Sequence, residues 1–273
     1  MKRRIFAIMS MVFAIVLVMS SCKKENVTTK ENATTQNSND PSGDGMIENA
    51  VTDIDGNTYD AVKLGNQVWM AENLRTTKYA DGTSISLGSS RSYDIPYRYY
   101  PDNNSSNVSI YGYLYNLPAV IGNSTNSSAN SGGAQGICPN GWHVPSDAEW
   151  KQLTQYVKSQ EEYVCAECSG EDNVWMTDCI AKAMASTTCW NNYEETCAVG
   201  NDLSGNNATG FNAVPAGYYD GDCHFLGYGA YFWTATQFVN NDYYCRILTC
   251  GDAGVSSYGK AKCQGYSVRC VRN

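Results

Sequence analysis

Only two histidines, His143 and His224, occur in 273 residues. No Gly-x-Ser-x-Gly turn is present to present a nucleophilic serine. Histidine is the commonest general base, so this scarcity leaves acid–base and nucleophilic chemistry little to work with. His143 sits between Trp142 and Val144 in an extended run and reads as a structural residue. His224 follows Cys223, and the pair would make a Cys–His dyad only if that cysteine stayed reduced. Positive charge is also short. Nineteen Lys and Arg face 27 Asp and Glu, a formal net charge of −8, which disfavours nucleic acid as a partner.

Apolar runs long enough to cross a bilayer are missing. The longest, Ile5 to Met19, has 15 residues, against about 20 for a spanning helix. Preceded by Lys2, Arg3 and Arg4, it reads as the core of a secretion signal over residues 1–21. Met19-Ser20-Ser21-Cys22 then has the form of a lipobox, which makes Cys22 the expected lipidated first residue of the mature protein. Losing the three signal-borne cations takes the charge to −11. Residues 22–47 are mostly Asn, Thr, Ser, Lys, Gln and Asp, a composition that cannot bury a core and suits a disordered tether. Together these features predict an outer-membrane lipoprotein, held by its lipid and displayed at the cell surface.

What remains, 48–273, is enough for one domain. Twenty Tyr, 24 Gly and short alternating runs between Gly/Asn/Asp turns predict a strand-rich fold with few helices. Asp55-Gly56-Asn57 lies between two such runs and reads as a hairpin turn. Asp53, Asp55 and Asn57 imitate the start of a calcium loop. The glycine required at its sixth position is Thr58, however, and the glutamate at its twelfth is Leu64. Ser146-x-x-Glu149 is a capping box that opens a helix with Trp150, Leu153, Tyr156 and Val157 on one face. A second helix is predicted from Asp178 through Ala185.

Twelve cysteines indicate an oxidising compartment, and setting Cys22 aside leaves an odd eleven. At least one is therefore free or paired between molecules. Cys165-x-x-Cys168 and Cys245-x4-Cys250 have spacings usable for zinc, but export favours disulfides for these and for Cys223. Nine cysteines (165, 168, 179, 189, 197, 223, 245, 250 and 263) suggest extra stapling, centred on an insertion at about 161–200.

Several blocks carry a family resemblance. Gly136-Ile-Cys-Pro-Asn-Gly-Trp-His-Val-Pro-Ser-Asp-Ala-Glu-Trp150 resembles the signature of the Fibrobacter succinogenes major paralogous domain, repeated across surface lipoproteins. Blocks 51–59, 62–75, 111–116, 208–218, 231–236 and 266–272 resemble it in the same order. The resemblance implies an α+β, C-type-lectin-like fold: one or two helices on small twisted antiparallel sheets, with long loops and disulfide staples. It also implies that Cys138 pairs with Cys270, and it places a formylglycine-generating-enzyme branch nearby without a matching cysteine pair in the blocks. Asn241-Asp242-Tyr243-Tyr244-Cys245, with Asn240 before it, resembles the Asn-Asp-x-x-Cys run of C-type lectins. Asn240, Asn241 and Asp242 are thus candidate ligand contacts, with calcium a conceivable companion but no cofactor expected. The resulting expectation is a non-catalytic recognition or adhesion module for glycans or an extracellular protein. A structural envelope role and an enzyme of the formylglycine-generating type are the alternatives.

Overall fold

The computed structural model describes residues 44–122, 134–168 and 178–273. The expected signal, Cys22 and most of the tether lie outside these residues. Strand β1 (Gly45–Thr52) begins inside the segment read as tether, because it pairs along β2 (Thr58–Leu64). Gly56 turns the hairpin at φ +84°, a conformation that costs a glycine little. Asp53 accepts the amides of Asp55 and Asn57 at 3.0 and 2.9 Å and the Tyr59 hydroxyl at 2.6 Å. Asp55 takes the Thr77 amide and ion-pairs with Lys78 at 3.0 Å. The calcium-like trio is thus spent on holding the turn.

The chain continues through β3 (Gln67–Met70), β4 (Ser86–Leu87), β5 (Tyr97–Tyr99), α1 (Val108–Tyr111), β6 (Leu114–Asn116) and α2 (Leu117–Ile121). Then come β7 (Trp142–His143), α3 (Asp147–Ser159), α4 (Ala181–Met184), β8 (Tyr218–Tyr219) and β9 (Cys223–His224). The last third is β10 (Gly229–Gln237), β11 (Asp242–Thr249), β12 (Ser256–Ala261), β13 (Gly265–Tyr266) and β14 (Val271–Arg272). Three sheets result, in the orders β1-β2-β3-β14-β7, β4-β5-β6-β13-β8-β9 and β10-β11-β12. Every ladder among the named strands is antiparallel except β4 with β5. The class is α+β, mostly sheet, with four α-helices among the described residues.

Helix α3 starts as its capping box requires. Ser146 Oγ accepts the Glu149 amide at 3.2 Å, and the Glu149 carboxylate accepts the Ser146 amide at 2.8 Å. Trp150, Leu153 and Val157 are buried, while Tyr156 is half-buried and donates its hydroxyl to Asp44. Trp150 packs on Trp69, Phe211 and Phe232, with ring centroids 4.9, 5.6 and 5.5 Å away. The second helix is shorter than the sequence suggests. Asp178 accepts the Val255 amide, Cys179 is left-handed at φ +51°, and Ala185 is extended and bridges to Ala213. Tertiary partners have taken both ends, leaving Ala181–Met184.

The closing segment also departs from expectation. Residues 266–271 are not one strand: β13 joins the six-stranded sheet and β14 the five-stranded one. Between them Ser267 bonds across to Tyr231 and Trp233, Val268 to Leu74, and Cys270 to Met70. Arg269, Cys270 and Val271 are consecutively buried, so the simple alternation expected of a strand fails where the chain passes between two sheets. Cys270 is bonded to Cys138 with Cα atoms 6.0 Å apart. Closing a separation of 132 residues is worth about 5 kcal/mol in the chain-entropy account. Cys165–Cys197 and Cys168–Cys179 staple the insertion. Cys223, Cys245, Cys250 and Cys263 are free thiols, which corrects the disulfide expectation for them. Cys245 and Cys250 instead serve as small apolar packing in two different core clusters.

Arg269 is fully buried, and the groups that accept its hydrogen bonds are neutral. Its guanidinium donates to Asn73 Oδ1 at 2.7 Å, Met70 O at 3.0 Å, Asn212 O at 2.8 Å and Phe211 O, and it lies 4.8 Å from the Phe211 ring. Burial works against its charge, so those acceptors are what make the site tolerable. Arg269→Ala should lower unfolding stability by about 3–5 kcal/mol, because it strands buried acceptors and opens a void. Arg269→Lys should lose more than half of that, since one ammonium cannot span the fan. Denaturant midpoints measure both, and a shift no larger than a surface substitution gives would contradict this assignment.

Candidate functional site

His143 lies in β7, with Nδ1 2.6 Å from Asn273 Oδ1 and Nε2 2.7 Å from Glu149 Oε1. Two acceptors favour the doubly protonated ring. Burial opposes that charge, but the bonds to Glu149 and Asn273 outweigh it and raise the pKa. Glu149 moves down: burial opposes ionisation, and His143 and the Ser146 amide overcome it. The histidine is a brace between α3 and the closing segment.

Cys223 and His224 do not form a dyad. The thiol sits 3.3 Å from Tyr100 O, and burial raises its pKa away from the thiolate, while His224 is exposed on the other side of β9. Cys165 and Cys168 are bonded to different partners, so their C-x-x-C spacing is not half a zinc site. Cys165, Glu167 and Cys197 lie close together, but the two sulfurs share a disulfide.

Asn240, Asn241 and Asp242 make the tip of the β10–β11 hairpin. Asp242 N bonds to Val239 O and Phe238 N to Asp242 O, both at 2.8 Å, and Asn240 is left-handed at φ +49°. Asn240 and Asn241 border a cleft of about 300 Å3, and Asp242 closes the turn behind them. Across the cleft stand Tyr93, Asp94 and Pro96, with Pro118, Tyr243 and Lys262 between. Lys262 pairs with Asp94 at 3.3 Å and donates its amide to Asn241 O at 3.1 Å.

One buried side chain shapes the far wall. Asn116 Oδ1 accepts the amides of Tyr97 at 2.8 Å and Ala119 at 3.2 Å; its Nδ2 donates to Ser92 O at 3.0 Å and Ile95 O at 2.8 Å. All four sites of the amide are used. Asn116 therefore caps α2 and fixes the 92–96 turn at once, which leaves Tyr93 about half exposed on a rigid base. Sequence reasoning missed this role. Asn116-Leu117-Pro118, a capping residue with proline in the first turn, was the available signal.

A second cleft of about 310 Å3 lies on the other side of the 88–96 loop. Its floor is the Tyr99–Tyr219 stack, with ring centroids 3.8 Å apart, and its rim carries Asn103 bonded to Asp222 at 2.9 Å. Gly88 fits here because any Cβ would sit 2.5 Å from the Tyr99 ring. The Arg91–Asp220 pair, at 2.7 Å, ties the loop to the turn after β8. Both clefts are at the small end of ligand pockets, and their walls are phenol rings and amides.

The Fibrobacter succinogenes major domain matches residues 62–272, and the chain belongs to that family. No curated protein and no solved structure matches it.

Two outcomes follow from the braces. His143 stabilises fully below its unfolded value near 6.5, and that contribution is lost as pH rises through the raised folded value; Glu149's contribution is lost only as pH falls below about 4.5. Stability should therefore decline as pH rises past about 6.5, and His143→Gln should flatten that decline in urea-unfolding curves; an unchanged slope would remove His143 from the account. Asn116→Ala should cost about 2–4 kcal/mol and speed hydrogen exchange across 92–97. Asn116→Asp should do no better, because its carboxylate would face the Ser92 and Ile95 carbonyls; wild-type exchange in that variant would refute the brace.

Proposed function

We propose that this member of the Fibrobacter succinogenes major domain family is a non-catalytic recognition module for glycans. In this reading Cys22 carries the lipid anchor at the outer membrane, residues 22–43 serve as tether, and the domain faces outward from the cell surface. The observation that carries the proposal is the cleft between the 92–96 turn and the β10–β11 tip. An exposed Tyr93 ring, the Asn240 and Asn241 amides and the Asp94–Lys262 pair converge there on rigid supports. Sugars offer apolar ring faces to aromatics and hydroxyls to amides and carboxylates, and this lining supplies both. We further read the architecture as C-type-lectin-like, on the strength of β14 lying between β3 and β7 and of the Cys138–Cys270 bond beside it.

The formylglycine-generating alternative would call for a thiol pair, and Cys245 and Cys250 pack in separate clusters. The test is a glycan array probed with the purified full chain, with and without calcium. Tyr93→Ala and Asn241→Ala should each weaken binding about tenfold, the worth of roughly 1.4 kcal/mol, while leaving the unfolding midpoint near wild type. A folded protein that binds no glycan overturns the reading and leaves the structural envelope role.

A further inference from the structure

The two clefts share one wall. Gly88 and Ser89 border the Tyr99–Tyr219 side, and Tyr93, Asp94 and Pro96 border the hairpin side. Tyr93 lies four positions after Ser89, so their Cα atoms are at most about 14 Å apart even if that stretch is straight. The shared loop is fixed at both ends and in the middle: by Asn116 on Ser92 and Ile95, by Asp220 on Arg91, by Lys262 on Asp94, and by the Tyr99 hydroxyl, which donates to Ser90 O at 3.0 Å. It is a stationary ridge between two hollows of nearly equal size.

The charges around the ridge are selective as well. Lys262 and Arg91 are the cations at the clefts and the bar between them, and each is already paired with an aspartate. Asp222 is left over, held ionised below the usual carboxylate range by the Cys223 amide and then by Asn103. The whole chain is negative. Among the described residues the clefts offer an anionic ligand repulsion and no unpaired cation, whereas hydroxyls can donate to Asp222 and Asp94.

We infer that the two clefts form one extended site, and that its ligand is an uncharged glycan chain lying across the 88–96 ridge. The inference rests on the glycan reading above and adds length and charge to it. A single sugar fills one hollow; a chain fills both, and linking two weak contacts multiplies their effect without any new surface.

The experiment uses the full chain and mono- to hexasaccharides of neutral hexose and N-acetylhexosamine series, beside heparin and alginate fragments of equal length. In the neutral series that binds, affinity should rise at least tenfold from one unit to six. The acidic fragments should bind more weakly, and more weakly still at low salt, where repulsion is less screened. Ser89→Trp and Asp222→Ala, both at exposed positions of the Tyr99–Tyr219 cleft, should each reduce hexasaccharide binding to about the monosaccharide level while leaving the unfolding midpoint near wild type. Length-independent affinity, tighter binding of acidic fragments, or hexasaccharide binding indifferent to both variants overturns the extended site while the glycan reading stands. If no series binds, both fall.

Discussion

The structure is organised around a buried positive charge. Arg269 lies in the closing segment, yet its acceptors come from residue 70, residue 73 and residues 211–212, stretches separated by more than half of the chain. A guanidinium can serve them together because its donors form a planar fork, and its flat face can rest on Phe211 at the same time. Desolvating that charge is costly, so the arrangement persists only if every acceptor is in place. That condition forces the first sheet, the 208–218 segment and the closing segment into one geometry. The Cys138–Cys270 bond next to it adds the α3 approach to the same node.

Asn116 repeats the device on a smaller scale. A neutral amide replaces the guanidinium, and the segments it joins are the start of α2 and the 92–96 turn. The difference in chemistry matches the difference in place. The central node is sealed and can hold a charge by surrounding it with carbonyls; the loop node lies under an exposed turn, and an amide satisfies both donor and acceptor demands without a counter-charge. Asn116 thus ties the cleft wall to the core, beside the contacts made by Tyr99, Asp220 and Lys262.

What could be read in advance was local. The Asp55-Gly56-Asn57 turn and the Ser146–Glu149 capping box are specified by residues within a few positions of each other, and both occur as read. The face of α3 was legible from its period: Trp150, Leu153 and Val157 are buried, and Tyr156 packs half-buried against the same cluster while its hydroxyl reaches Asp44. The second helix was overextended because Asp178 and Ala185 answer to Val255 and Ala213, not to helical neighbours. Arg269 could not be read as a node, since nothing within the run Tyr266–Arg272 announces acceptors nearly 200 positions away. The four free thiols were misjudged for the related reason that cysteine composition reports a compartment, whereas pairing depends on which side chains the fold brings together.

The division between frame and clefts has a consequence for how far membership of the family reaches. The blocks by which the chain is recognised contain Asn73, Trp150, Phe211, Trp233, Arg269 and both cysteines of the long bridge, which are core and node residues. The cleft linings (87–103, 219–222, 237–243 and Lys262) fall between those blocks, with Pro118 just past the end of one of them. The constraints on the two sets differ in degree: a node residue must satisfy several buried groups simultaneously, exposed lining residues such as Tyr93 and Asn241 do not, and Tyr99 and Tyr219 belong to both sets because they line a cleft and pack in a buried cluster. The family match runs through both sets, from residue 62 to 272, so frame and linings belong to one domain, and the buried nodes are what hold the linings in place.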